Sequence, residues 1–332
     1  MRIGLIGTGR IGAFHAETLA GLPAVTGVVV HDADERSARA VGDRIGATRA
    51  ADLDGLLGSG VDGVVIAAPT FAHAELILAA ARAGLPVFCE KPVAGTLQET
   101  DAVLAALDGT GVPLHIGFQR RFDAGYLAVR EAVADGRLGW THTLRACTSD
   151  PAPPHAGYIP GSGGIFRDCS VHDYDIVRWV TGREVVEVYA TGANRGEEFF
   201  AAAGDVDTGV TLLTLDDGTL ATCTATRYNG AGYDVRLEVC GSRGTLVAGL
   251  TDHSPLTSAE GAAWPAGTPH PGFMERFLDA YRAELSAFTE VVAGTRPSPC
   301  TGRDARAALA VADAATRSRA EGRPVRLATV AA

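Results

Sequence analysis

Two parts of the sequence carry side chains that can stabilise charge or move protons. Lys91 lies within Glu90-Lys91-Pro92, directly after a short strand-like run. A fixed ammonium there could bind a substrate hydroxyl and stabilise an alkoxide as its charge develops. Asp168 and His172 lie four residues apart, a spacing that puts both on one face of a helix, about 6 Å from each other. Histidine titrates near neutral pH, so this pair predicts the proton transfer that alcohol oxidation requires.

Each of these residues also has a purely structural interpretation. Taken alone, Lys91 could be a solvated surface lysine. Asp168 could cap a helix, and His172 could be a hydrogen-bonded core residue. Apolar spacing predicts a helix that contains His172 and runs to Thr181, with Gly182 as its stop. Spacing alone leaves both interpretations open.

A glycine-rich motif near the N-terminus indicates a dinucleotide site. Gly7-Thr8-Gly9-Arg10-Ile11-Gly12 fits G-x-G-x-x-G between an apolar strand and an apolar helix, which is the context that the motif requires. Its glycines permit a tight turn, close approach of a pyrophosphate and close helix–strand packing. Asp32 lies 20 residues further on, where a carboxylate would bind ribose hydroxyls and repel a 2′-phosphate, so NAD is favoured over NADP. Arg36 and Arg39 could soften that preference, and a structural turn with Asp32 capping the next helix is the alternative.

The elements that must position these residues alternate along the first part of the chain. Strands are predicted at 2–6, 25–30, 61–67, 87–89 and 114–118, and helices at 11–20, 35–45, 72–83 and 97–107. Apolar strands without alternation indicate a parallel sheet that is buried on both faces. We therefore expect an α/β fold in which residues 1–120 form a Rossmann domain with a doubly wound parallel sheet.

The remaining residues, 121–332, are expected to form a second α/β domain. Strands are predicted at 184–191, 207–215, 219–227 and 234–240, and helices at 273–292 and 304–320. Asp216-Asp217-Gly218 is a hairpin signal, so the sheet is predicted to be mostly antiparallel. The Pro/Gly-rich segment 150–164 is either a linker or a loop that lines a site.

Composition limits the class of protein. The chain has 332 residues, 46% of them hydrophobic and 20% charged, with a formal net charge of −10. Room for about two domains follows from that length, and the acidic balance argues against nucleic acid as a partner. The six cysteines form no C-x-x-C or zinc-like spacing, so we expect reduced thiols and no metal site. No signal peptide or membrane-spanning run is recognised, so a cytoplasmic location is expected.

Several motifs occur in an order that resembles a known family. They are residues 7–12, Asp32, Ala68-Pro69-Thr70 with His73, Glu90-Lys91-Pro92, residues 117–123, Gly232-Tyr233-Asp234 and residues 241–244. Together they resemble the glucose-fructose oxidoreductase, inositol dehydrogenase and rhizopine-catabolism (Gfo/Idh/MocA) oxidoreductase family over nearly the whole chain. The resemblance implies a Rossmann domain followed by an α/β domain with a large open sheet. It also implies a homodimer or homotetramer that assembles through that sheet.

The resemblance assigns roles to individual residues. Lys91, Asp168 and His172 match the family's catalytic lysine, aspartate and histidine. The implied cofactor contacts are Gly7, Gly9, Arg10, Ile11, Gly12, Asp32, Pro69, Thr70, His73, Glu90 and Lys91. The implied substrate contacts are Lys91, Gln119, Arg120, Asp168, His172 and Tyr233, and Tyr158 is a weaker candidate.

The function implied is NAD-dependent oxidation of a secondary hydroxyl of a cyclic polyol or sugar, with myo-inositol as the first candidate. An aldose, scyllo-inositol or a deoxysugar ketone stays open as the substrate. Two other classes of function also stay open. One is a regulator that binds NAD without turnover, and the other is a reductase of a non-sugar substrate.

Overall fold

A parallel sheet follows from the apolar strands of the first 122 residues. The structure is a computed structural model that describes residues 1–261 and 267–327. The strands are β1 (Arg2–Ile6), β2 (Gly27–His31), β3 (Thr48–Arg49), β4 (Gly63–Ile66), β5 (Val87–Glu90) and β6 (Leu114–Gly117). The helices are α1 (Arg10–Ala20), α2 (Glu35–Ile45), α3 (Leu53–Leu57), α4 (Thr70–Arg82) and α5 (Leu97–Leu107). A 3₁₀ segment, Gln119–Phe122, follows β6.

The later elements build a second sheet. Its strands are β7 (Thr141–Ser149), β8 (Val185–Ala193), β9 (Thr208–Leu215), β10 (Leu220–Thr226), β11 (Asp234–Gly241), β12 (Gly244–Ala248) and β13 (Val325–Arg326). The helices are α6 (Ala124–Ala134), α7 (Ile159–Ser162), α8 (Val171–Thr181), α9 (Phe199–Ala202), α10 (Phe273–Arg276), α11 (Leu278–Val292) and α12 (Gly302–Glu321). A 3₁₀ segment, Ala156–Tyr158, precedes α7, and a π-helical turn, Phe166–Ser170, runs into α8.

The first sheet has the strand order of a dinucleotide-binding fold. Its order is β3-β2-β1-β4-β5-β6, and every pair is parallel. In such a sheet the order reverses between β1 and β4, and ligands bind beyond the carboxyl ends of the strands at that point. The predicted Rossmann architecture is therefore confirmed.

The chain divides into two compact units, but not at a single point. The first unit comprises residues 1–122 and 279–306, and the second comprises the rest of the described chain. Residues 279–306 fall in the part of the sequence that was expected to belong wholly to the second domain. The reason lies in α11, whose Leu285, Phe288 and Val291 are buried in one apolar cluster with Leu5 and Phe88 of the first sheet.

The second sheet is mixed, and antiparallel pairs predominate. Its order is β12-β11-β7-β10-β9-β8-β13, and only β7 and β10 pair in parallel. The hairpin predicted at 216–218 joins β9 to β10. The predicted helix 273–292 is divided into α10 and α11 at Phe277.

One face of the second sheet is buried and the other is open. Inward-facing residues such as Leu144 and Leu213 are completely buried. On the opposite face Tyr189, Val210, Leu212 and Leu220 are each between 41% and 44% exposed. Alternation between buried and exposed positions along these strands produces the two faces.

Two further findings concern the cysteines and the apolar character of the helices. All six cysteines are free thiols, and five of them are buried. Within residues 1–261 and 267–327, no helix combines the length and the apolar character that crossing a bilayer demands.

Candidate active-site residues

The loop between β1 and α1 needs glycine at two positions and leaves open space at a third. Gly7 has φ +91°, and a Cβ on it would lie 2.6 Å from the backbone nitrogen of Ala68. A Cβ on Gly12 would overlap the carbonyl oxygen of Gly7. A Cβ on Gly9 would meet no protein atom within 4 Å. The loop surface at Gly9 is therefore open to a ligand, beside the backbone N–H groups at the start of α1, and it fits a pyrophosphate.

Arg10 and Ile11 form the first turn of α1. The Arg10 side chain is exposed, and Ile11 is half-buried beside the core of the first sheet. Their contribution to a cofactor site would come from their backbone N–H groups, because these face outward at the start of a helix.

Asp32 fastens the glycine-rich loop to the end of β2. Its Oδ2 accepts hydrogen bonds from the backbone N–H of Thr8 at 2.6 Å and from Thr8 Oγ1 at 3.0 Å. Its Oδ1 accepts one from the backbone N–H of Asp34 at 2.8 Å. A carboxylate has about four acceptor positions, so about one is left for a ribose hydroxyl. Asp34, and not Asp32, caps α2 by accepting from the backbone N–H of Arg36, which removes the capping alternative for Asp32.

The loop between β4 and α4 contributes Pro69, Thr70 and His73. Pro69 is the N-cap of α4, and Thr70 is the first residue of this helix. His73 is 1% exposed, and its Nδ1 lies 2.6 Å from the carbonyl oxygen of Pro92. Its Nε2 lies 2.8 Å from the carbonyl oxygen of Ala68. Both ring nitrogens of His73 are thus engaged by backbone, and a direct cofactor contact through them stays a prediction.

Lys91 follows the last residue of β5 and is half-buried. The Lys91–Pro92 peptide bond is cis. Glu90, the preceding residue, has its Oε1 at 2.6 Å from Nε2 of His15 on α1. His15 is completely buried, and sequence reasoning missed it.

The amino-acid composition also distinguishes Lys91 from the other basic residues. Of the 29 basic residues Lys91 is the only lysine, and the other 28 are arginines. Arginine carries a planar, permanently charged fork, whereas lysine carries a compact point charge with an adjustable pKa. A chain that otherwise uses only arginine thus retains one ammonium, at the end of a parallel strand.

The 3₁₀ segment after β6 contains Gln119 and Arg120, which are 4% and 2% exposed. Contact of either side chain with a substrate stays a prediction.

In the second unit Asp168 belongs to a network of charged and polar groups. Nη2 of Arg227 donates to Asp168 Oδ2 at 2.7 Å, and Nη1 of Arg227 donates to Asp150 Oδ2 at 3.0 Å. The hydroxyl of Tyr158, from the Pro/Gly-rich segment, donates to Asp168 Oδ1 at 2.9 Å. Partial desolvation and the neighbouring Asp168 carboxylate raise the pKa of Tyr158, so its hydroxyl stays a donor. Segment 150–164 therefore contacts a candidate catalytic residue, which supports its interpretation as a loop of the site.

Arg227 and Asp150 are further residues that the sequence did not reveal. Asp150 is half-buried, and its partial desolvation raises its pKa, while the charge of Arg227 opposes the rise. The sequence offered one signal, an arginine at the end of a predicted strand, but many arginines of this chain satisfy that description.

His172 lies at the start of α8 and is half-buried. The helix ends at Thr181 and Gly182 follows with φ +64°, as the sequence predicted. Asp168, however, lies in a π-helical turn and not in the α-helix itself, so the spacing rule for residues i and i+4 does not apply. Single π-helical turns are frequent at functional sites. Tyr233 precedes β11 and is 6% exposed.

Both units match known protein families. Residues 1–118 match the oxidoreductase family with an NAD-binding Rossmann fold, and residues 126–247 match the GFO/IDH/MocA C-terminal domain. A myo-inositol dehydrogenase of Streptomyces leeuwenhoekii is 40% identical over 97% of this chain and 98% of its own. A myo-inositol 2-dehydrogenase of Thermotoga maritima is 37% identical over 99% of both chains.

A solved structure adds a ligand-bound relative. The scyllo-inositol dehydrogenase of Lactobacillus casei, with bound NAD(H) and scyllo-inositol, superposes with a TM-score of 0.90 at 28% identity. The match covers 98% of both chains. The likeness therefore extends over both units of the chain.

Proposed function

This chain belongs to the GFO/IDH/MocA oxidoreductase family, and we propose that it is an NAD-dependent dehydrogenase that oxidises a ring hydroxyl of myo-inositol to the ketone. The observation that carries the proposal is the occurrence of the chain's single lysine directly after β5, within a sheet of dinucleotide-binding order. The glycine-rich loop with its open surface at Gly9 supports NAD as the cofactor. Relatives at 37% and 40% identity that bear the name myo-inositol dehydrogenase support the substrate.

In the proposed reaction, the cofactor and three side chains each have one role. When bound, NAD would supply the acceptor for the hydride of the carbinol C–H bond. His172 accepts the proton of the hydroxyl as the carbonyl double bond forms. The Lys91 ammonium donates a hydrogen bond to the same oxygen and stabilises its developing negative charge. Asp168, held by Arg227 and Tyr158, accepts a hydrogen bond from a neighbouring substrate hydroxyl.

One second substrate is favoured by a specific observation. The ligand-bound relative of Lactobacillus casei holds scyllo-inositol, an isomer that differs from myo-inositol only in the orientation of a single hydroxyl. We therefore rank scyllo-inositol second.

The test is NADH formation at 340 nm from NAD and a panel of cyclic polyols and aldoses. We expect turnover with myo-inositol, and a loss of at least about 10²-fold in kcat for Lys91→Met and for His172→Asn. NADH affinity, measured by fluorescence titration, should be unchanged in His172→Asn and should fall by no more than about twofold in Lys91→Met, which loses one implied cofactor contact. His142→Asn, which changes an exposed histidine, is the matched control. Turnover of an aldose alone would replace the substrate, and no turnover on any polyol or sugar would favour a regulator that binds NAD.

We further propose that the enzyme is a homodimer or homotetramer that pairs through the open face of its second sheet. The support is the apolar group Tyr189, Val210, Leu212 and Leu220 on that face, because contiguous exposed apolar patches mark association surfaces. Light scattering should give a multiple of the 34.3 kDa chain mass, and Leu212→Glu should lower it. Leu250→Glu, at a similarly exposed leucine outside the sheet, should not.

A cytoplasmic location is part of the same proposal. Six free thiols and the absence of a disulfide among them are typical of a reducing compartment. Fractionation of the source cells, followed by activity measurement, would locate the enzyme.

A further inference from the structure

We propose that two buried histidines, His15 and His73, are positioning residues for Lys91. The inference rests on the proposed function of Lys91, and it adds how the lysine is held. Each histidine comes from a different helix, and each bonds one of the two residues that flank Lys91. His15 on α1 binds the side chain of Glu90, and His73 on α4 binds the backbone of Pro92.

The first contact fixes the residue before Lys91. His15 is completely buried, and its ring lies edge-on to Phe88 and to Tyr281, with centroids 5.7 Å away in each case. Aromatic neighbours on two sides hold the imidazole in one orientation. Its Nε2 lies 2.6 Å from Glu90 Oε1, and a carboxylate only accepts, so the ring donates from Nε2.

The other ring nitrogen of His15 agrees with that assignment. Nδ1 is buried and has no hydrogen-bond partner within the described residues. Nε2 therefore makes the hydrogen bond that the ring has within those residues. His15 is thereby committed to one bond, and that bond holds Glu90.

The second contact fixes the residue after Lys91. His73 Nδ1 lies 2.6 Å from the carbonyl oxygen of Pro92, and Nε2 lies 2.8 Å from that of Ala68. The ring therefore ties the loop after β5 to the loop after β4. A neutral imidazole donates to one of these oxygens, and a doubly protonated ring donates to both. The ring joins the two loops through hydrogen bonds only where both nitrogens donate, because both partners are carbonyl oxygens. The His73 side chain is 1% exposed.

The consequence is a lysine between two held residues, Glu90 through its carboxylate and Pro92 through its carbonyl oxygen. A misplacement of about 1 Å at a reacting centre can lower a rate by about a hundredfold. No other ammonium side chain exists in this sequence to take over the role of Lys91. The two histidines would thus act on the reaction only through the place of Lys91, without touching substrate.

Paired substitutions can separate positioning from simple folding support. The amide nitrogen of asparagine lies close to the place of histidine Nδ1, and that of glutamine close to Nε2, because of their chain lengths. His15→Gln and His73→Asn therefore retain the bond toward the Lys91 segment. His15→Asn and His73→Gln lose that hydrogen bond, although the two variants at each position carry the same amide group. His115→Gln, at a histidine equally buried in the first unit, is the control.

The first measurement needs no catalysis. Lys91 is the single lysine of this sequence, so trace acetylation with acetic anhydride reports Lys91 against the N-terminal α-amine as an internal reference. In the cofactor-free protein we expect Lys91 to react at least about threefold faster in His15→Asn and His73→Gln, because a released lysine reaches more orientations. His15→Gln, His73→Asn and the control should stay within about twofold of the wild type. Equal rates within both pairs would overturn the proposal.

The second measurement compares the effect of the same substitutions on kcat with their effect on NADH binding. With myo-inositol, kcat should fall at least about tenfold in His15→Asn and His73→Gln, with an increased deuterium isotope effect and an unchanged NADH dissociation constant. If the wild type turns over no polyol but labelling separates the pairs, the proposed function fails and the positioning stands. If turnover is normal and the pairs do not separate, the positioning fails alone. Should His15→Asn not fold, Glu90→Gln, which keeps an acceptor for His15, and Glu90→Ala, which removes it, replace that pair.

Discussion

Arg227 donates from Nη2 to Asp168 Oδ2 at 2.7 Å, and the two side chains are only 4% and 13% exposed. The same guanidinium uses Nη1 to bind Asp150. One planar group thus holds two carboxylates in a fixed arrangement, which a single ammonium nitrogen does not reproduce.

Replacement of Arg227 by lysine should therefore lower activity without affecting the cofactor. Loss of a charged hydrogen bond costs about 1.5–3 kcal/mol, which corresponds to about a 10- to 100-fold loss in kcat/KM for the polyol. Tyr158→Phe removes only a neutral donor to Asp168 and should cost about fivefold. NADH affinity should not change in either variant. Arg145→Gln, at an exposed ion pair of the same unit, is the control, and equal activity of Arg227→Lys and wild type would remove Arg227 from the site.

Substitution of Gly9 should affect NADH affinity, whereas substitution of Gly12 should affect the stability of the fold. Gly9→Ala places a methyl group where no protein atom lies within 4 Å, so stability should be nearly unchanged. NADH affinity should fall about tenfold, because the methyl group occupies the space of the pyrophosphate. Gly12→Ala forces a clash with the Gly7 carbonyl oxygen and should destabilise the fold by about 1–3 kcal/mol. Thermal unfolding and fluorescence titration of both variants check this, and an undisturbed NADH affinity in Gly9→Ala would show that the cofactor does not approach this loop.

Asp32 should select between NAD and NADP by its charge. Asp32→Asn keeps an acceptor for the Thr8 backbone N–H and removes the repulsion of a 2′-phosphate, so the NAD/NADP ratio of kcat/KM should fall at least about tenfold. Thr8→Val removes a hydroxyl that bonds Asp32 without changing charge. Thr8→Val should lower the affinity for NAD and for NADP equally and leave the NAD/NADP ratio of kcat/KM unchanged. A ratio that survives Asp32→Asn contradicts the role assigned to this carboxylate.

His115 should make the protein sensitive to acid. Burial lowers the pKa of His115 from its usual 6.5 to about 3, and its ring packs against Phe88, Phe122 and Phe288. Between pH 6.5 and about 3, His115 is protonated in the unfolded chain and neutral in the folded chain. The free energy of unfolding should therefore fall as the pH drops from 6.5 toward 3, with a slope of about 1.4 kcal/mol per pH unit in the steepest part.

Urea unfolding of His115→Leu at pH 7 and pH 4.5 measures this contribution. The variant should lose less stability than the wild type between the two pH values, because leucine does not titrate. His142→Gln, at an exposed histidine, should behave like the wild type. An identical pH response of His115→Leu and wild type would show that His115 is not the responsible group.

Local patterns determined much of this protein. The strand–glycine–helix motif at residues 7–12, the end of α8 at Gly182 and the hairpin at 216–218 all depend on neighbours within a few residues. Backbone dihedral limits and hydrophobic periodicity act over that range, so they can be recognised from sequence. The position of Lys91 after β5 and of Asp32 after β2 followed from the same patterns.

The partners of these residues were decided only by tertiary structure. Glu90 meets His15 across 75 positions of the chain, and Arg227 meets Asp168 across 59. The cluster that buries α11 against the first sheet likewise joins segments far apart in sequence. Such contacts depend on how whole elements pack, and many arginines and histidines of this sequence would satisfy any local rule. The sequence therefore identified candidate groups for the proposed chemistry, and only packing determined which side chains contact them.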